Sequence, residues 1–175
     1  LKIASQLSPQ SSFIATLKAE ALRFAGDLDA AEKLVEDVSV KDIRRLCIRA
    51  RIYFELADIG NCLESLAPLM PALESMNGNG AGSPKFEDDL INPTELLILS
   101  QRAHDINQLK ERGKTAFSAG DYADAMRMYS EALGMCKYSK TLQALFLSNI
   151  CACEQATERY VDALSPRQRT LLREL

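Results

Sequence analysis

Apolar residues recur along the chain at three- and four-residue steps, as in Leu17, Ala21 and Leu22 or Ile48, Ile52 and Leu56. That is the period of a helix with one face buried. No stretch alternates apolar and polar positions long enough to suggest a strand, and β-branched residues are scattered. The pattern predicts an all-α protein. Asn92-Pro93-Thr94-Glu95 reads as a helix start, with Asn92 as N-cap, Pro93 first in the helix and Glu95 as capping-box partner. No breaker follows before Gly113, so one long helix is predicted over about 93–118.

A second pattern overlies the first. A small residue inside a helix is followed seven positions on by glycine or alanine, at nine by a large residue and at twelve by another small one. Ala19, Gly26, Leu28 and Ala31 fit this pattern, as do Ala50, Ala57, Ile59 and Cys62. Gly113, Gly120, Tyr122 and Ala125 fit best, with Tyr129 at sixteen. Cys151, Glu158, Tyr160 and Ala163 fit less well, with Glu158 at the expected turn. The two small residues let antiparallel helices approach closely. The middle one ends the first helix, where glycine accepts a positive φ. Each hairpin buries one face only, so neighbours must stack.

The stretch from Leu109 to Gly134, LKERGKTAFSAGDYADAMRMYSEALG, resembles a tetratricopeptide repeat, with its GxxAF, AGDY and YSEAL elements at the family's spacing. The family period is 34 residues. Here the first small residues stand 31, 63 and 38 apart (19 to 50, 50 to 113, 113 to 151), so one repeat is short and one boundary carries a large insertion. The resemblance implies a right-handed superhelical solenoid of antiparallel helix pairs, interrupted by a flexible loop. The expected layout is divergent repeats over 1–75, a glycine-rich loop over 76–91, and over 92–175 a long helix, a clear repeat and a partial one. The loop's Gly78, Gly80 and Gly82 follow no strand and precede no Gly-Lys-Ser/Thr, so they read as a linker and not as a phosphate cradle. A break or restart is expected near Ser165-Pro166. The chain begins at Leu1 and is expected to be a piece of a longer protein.

Composition narrows the function. Lysine plus arginine is 21 and aspartate plus glutamate 24, a net charge of −3 that argues against a nucleic-acid binder. No apolar run approaches the roughly 20 residues of a membrane span. His104 is the one histidine, and no nucleophile motif, metal-ligand spacing or phosphate loop is present, so neither an enzyme nor a cofactor or metal site is expected. The five cysteines are odd in number and irregular in spacing, which suits reduced thiols in a cytoplasmic or nuclear protein better than a disulfide framework.

A binding module remains. The layout is similar to the repeat region of the co-chaperones that place tetratricopeptide repeats before a J domain, with a K-x-x-G-x-x-A-F run from Lys110 to Phe117. That resemblance implies a concave groove for peptides. In one subgroup the groove takes the C-terminal tails, ending in Glu-Glu-Val-Asp, of the heat-shock chaperones of 70 and 90 kDa. Lys110 matches the subgroup's first lysine and Asn149 its second-repeat asparagine, while Lys114 stands where asparagine is usual. The subgroup's remaining basic pair would fall beyond Leu175. Asn107 and Phe117 would line the same groove. Arg44, Arg45, Arg49 and Arg51 crowd one helix and form a second candidate basic face for an acidic partner; they could instead cover neighbouring helices or pair with acids such as Glu55 and Asp58. Other readings are a scaffold for an unrelated assembly, or an oligomer interface, with a dimer through an exposed end of the solenoid.

Overall fold

The computed structural model describes residues 12–36, 43–77, 92–137 and 139–163. Among these the chain forms eight α-helices and one 3-10 turn, and no strand. The helices are α1 (Ser12–Ala25), α2 (Leu28–Glu36), α3 (Ile43–Glu55), α4 (Ile59–Leu66), α5 (Met70–Asn77), α6 (Pro93–Ser118), α7 (Tyr122–Met135) and α8 (Lys140–Ala163), with the 3-10 turn Ala67–Leu69 between α4 and α5. The chain divides into two compact units, Leu1–His104 and Asp105–Leu175. α6 runs unbroken through that boundary.

Three hairpin turns share one construction. The residue at the turn has positive φ: 83° at Gly26, 66° at Ala57 and 81° at Gly120. Its N–H donates three residues back, to the carbonyls of Arg23, Phe54 and Phe117 respectively. The next residue is aspartate in each case, and its N–H donates five residues back, to Leu22, Tyr53 and Ala116, at 3.0, 2.9 and 2.9 Å. These paired bonds satisfy carbonyls that the helix end leaves open. The same aspartates start the next helix. Asp27 Oδ1 accepts from the N–H of Ala30, Asp58 Oδ1 from Asn61 and Asp121 Oδ1 from Asp124, at 3.2, 3.1 and 3.1 Å. One aspartate thus closes one helix and caps the following one.

The small residues of the pattern lie where the helices meet. Ala19, Ala31, Ala50, Cys62 and Ala125 are fully buried, and Gly113 is buried as well. In the first unit Ala19, Ala31, Val35, Ile48 and Ile52 form a core that Leu22, Leu34 and Leu56 complete. Fully burying the valine, isoleucine and leucine side chains among these contributes roughly 1.5–3 kcal/mol each. A charge network braces the same unit. Arg23 of α1 pairs with Glu20 at 2.9 Å and with Glu55 of α3, while Arg51 of α3 pairs with Glu95 of α6 at 3.1 Å and with Glu20 at 3.6 Å. Asn92 caps α6 as expected, its Oδ1 accepting from the N–H groups of Thr94 and Glu95. The Glu95 side chain, expected to close a capping box, is engaged by Arg51.

In the second unit Met128, Tyr129, Ala132, Leu142, Phe146 and Cys153 are buried, and the Tyr129 and Phe146 rings lie 6.2 Å apart. Ser139 caps α8 through the N–H of Leu142, and the Gln143 amide donates back to the carbonyls of Cys136 and Lys137.

The fourth occurrence of the pattern needs correcting. α8 passes straight through Glu158 to Ala163, without the turn expected there. Glutamate is a good helix former and pays for positive φ, so nothing local stops the helix. Cys151 is exposed, and the buried cysteine is Cys153. α5 also extends through Asn77, two residues into the expected loop. Gly78, Gly80, Gly82, Ser165 and Pro166 lie outside the described residues.

Candidate functional site

α6 carries a buried stripe at Ala103, Ile106, Leu109 and Gly113. Immediately beside it Asn107, Lys110, Lys114 and Phe117 follow at steps of three, four and three, which places them on one strip of the helix. Asn107, Lys110 and Phe117 are half-buried and Lys114 is exposed. Neither lysine pairs with an acid among the described residues, and the Asn107 side chain bonds none of them. The strip therefore offers two cations and an amide that no described residue engages.

Asn149 stands on α8. Leu142, Phe146 and Cys153 are fully buried, and Asn149 falls on the same stripe, half-buried, three residues after Phe146. Phe146 packs on Tyr129 of α7, and Tyr129 packs on Gly113 of α6. A β-carbon on Gly113 would stand 2.5 Å from Tyr129 Cε1, so only glycine admits this approach. Burial raises the Tyr129 phenol above its ordinary range, with lesser contributions from Cys153 and Glu111. Phe117, expected to line the groove, has a partner within the fold. It meets Tyr122 edge-on at 5.3 Å and 64°, which makes it part of the α6–α7 hairpin packing.

The four arginines do not form one solvated face. Arg45 is buried, and its Nη2 donates to the Leu34 carbonyl at 2.6 Å. The Arg49 guanidinium lies over the Tyr53 ring at 5.4 Å, and Arg51 is held by Glu20 and Glu95. Arg44 is half-buried. Helical spacing pairs Arg45 with Arg49 and Arg44 with Arg51, but α3 has eight of its thirteen residues buried, so much of its surface is internal. Glu55, which meets Arg23, and Glu95, which meets Arg51, lie 32 and 44 residues away, beyond what spacing reveals.

No family model matches the chain, and no solved structure matches it. Two curated proteins do. The DnaJ homolog subfamily C member 7 homolog of Schizosaccharomyces pombe is 25% identical over 173 residues, 97% of this chain and 33% of that protein. Human protein unc-45 homolog B is 42% identical over 64 residues, 37% of this chain and 7% of that protein. The chain thus spans a third of the first relative's length and a small part of the second's. These relatives and the all-helical hairpins support a tetratricopeptide-like helical repeat. No helix among the described residues is long and apolar enough to cross a membrane.

Proposed function

We propose that the chain is a protein-interaction module of a chaperone co-factor. Its helix pairs stack as a solenoid, and a peptide's C-terminal carboxylates lie against Lys110, Lys114 and Asn149. The observation that carries this reading is the pair of lysines one turn apart on α6 that meet no acid among the described residues, beside Asn107, whose side chain bonds none of them. A carboxylate leaving water needs charged or amide donors to replace its hydration. Lys114 supplies a point charge where a directed amide would stand in the related repeats. Asn149 supplies an amide from a second helix. No step of this reading is catalytic.

The test is fluorescence anisotropy with a labelled peptide ending in Glu-Glu-Val-Asp, beside the same peptide with an amidated C-terminus. Saturable binding that requires the free carboxylate supports the clamp. Equal binding of both forms, or none, assigns the repeats to scaffolding or to self-association.

A further inference from the structure

The first unit contains a cleft of about 500 Å³ between α5 and the N-terminal half of α6. Met70, Leu97 and Ile98 supply its apolar wall, and Glu74, Ser100 and His104 its polar groups. The cleft is open and sets this apolar wall beside polar groups. Ser100 is 2% exposed, yet its hydroxyl bonds no other described residue. Four other helical hydroxyls, on Ser65, Thr115, Ser118 and Thr157, donate to the carbonyl four residues back. The Ser100 hydroxyl lines the cleft, where a ligand's donor can reach it. Glu74 is exposed and has no ion-pair partner among the described residues, and His104 likewise has none. Ile98 is 51% exposed on the same wall.

We propose that this cleft receives a partner segment presenting an arginine beside an apolar residue. Glu74 is the one carboxylate among the six residues named, which favours a cationic ligand. A guanidinium meets a carboxylate with a two-pronged fork, and its spare N–H groups can donate to the Ser100 hydroxyl. The arginine's methylene stem lies along Leu97 and Met70 while its head stays polar. The neighbouring apolar side chain covers Ile98. This site lies within Leu1–His104 and does not rest on the lysines and asparagine of the proposed clamp.

The experiment follows the Met70 methyl signal by NMR in the full chain labelled with methyl-13C methionine, assigned through Met70→Leu. The probes are acetyl-Gly-Leu-Arg-Gly-amide and the same peptide with glutamate in place of arginine. A saturable Met70 shift is expected with the arginine peptide, weakened at least about fivefold by the glutamate probe and by Glu74→Gln. Glu74 is exposed, so its substitution leaves the fold in place, as circular dichroism would verify. No saturable shift, an equal response to both peptides, or unchanged affinity in Glu74→Gln would overturn the proposal.

Discussion

Gly113 and Tyr129 touch so closely that a β-carbon on the one would lie 2.5 Å from a ring carbon of the other. Tyr129 is 6% exposed and packs on Phe146, so its ring has little room to withdraw. Gly113→Ala should therefore destabilise the chain by about 1–3 kcal/mol. Alanine's better helix propensity, roughly 1 kcal/mol, offsets part of the clash. Tyr129→Leu costs stability alone but should rescue part of the Gly113→Ala loss. A double-mutant cycle in urea reads this coupling, and strict additivity would contradict the contact.

The turn at Ala57 has the geometry of those at Gly26 and Gly120 but holds a side chain at φ 66°. A left-handed conformation costs a residue with a β-carbon roughly 1–2 kcal/mol. Glycine gives back part of that gain through the larger entropy of the unfolded chain. Ala57→Gly should raise stability by about 0.5–1 kcal/mol, and Gly120→Ala should lower it by a similar amount. Space does not decide the second case, because nothing stands within 4 Å of a β-carbon at Gly120. Thermal melts of both variants check the pair of opposite signs.

Cys151 is exposed, and Cys47, Cys62, Cys136 and Cys153 are buried. Burial, with a lesser push from Asp58, raises the Cys62 thiol to about 12. Burial also raises Cys153, helped by Glu154. Only a thiolate attacks a disulfide reagent readily. Ellman's reagent near neutral pH should therefore label one thiol in a fast phase that Cys151→Ser abolishes. Two or more fast thiols in the folded chain would contradict the burial pattern.

Glu32 on α2 is partly desolvated and sits among the charges of Glu36, Asp29 and Asp58, which together raise its carboxyl above the ordinary carboxylate range. The folded chain then keeps this proton at a pH where the unfolded chain has lost it. The group's contribution is complete below the unfolded value and is lost as pH rises through the raised folded value. Glu32→Gln should thus gain stability over the parent at about pH 7 and little or none at about pH 4. Melting temperatures of the two proteins at both pH values give the comparison, and a gain confined to acid would reverse the sign.

Much of this architecture was legible. The pairs Gly26-Asp27, Ala57-Asp58 and Gly120-Asp121 mark three turns because a short residue and a capping aspartate do local work. Asn92-Pro93 marks the start of α6 for the same reason. Where the sequence misled, the deciding forces were not local. Spacing set Cys151 in the repeat, but packing buries Cys153 and α8 continues past Glu158. Spacing aligned Arg45 with Arg49 on α3, but burial of α3 among its neighbours and acids distant in sequence decided what the arginines meet. On α6 the family resemblance picked out Lys110 and Lys114, and the helical period puts Asn107 on the same strip. The engagement of Phe117 by Tyr122 was not legible, since it depends on how the hairpin closes.

The central claim is that Lys110, Lys114 and Asn149 act together on a terminal carboxylate. The most direct measurement is the affinity of the Glu-Glu-Val-Asp peptide for Lys110→Ala, Lys114→Ala and Asn149→Ala, each compared with the parent chain. A lost charge-assisted hydrogen bond costs roughly 1.5–3 kcal/mol, or about 10- to 150-fold in affinity. The account predicts losses of that order for both lysines, a smaller loss for Asn149, and none of these differences when the peptide's C-terminus is amidated. Wild-type affinity in all three variants would contradict it.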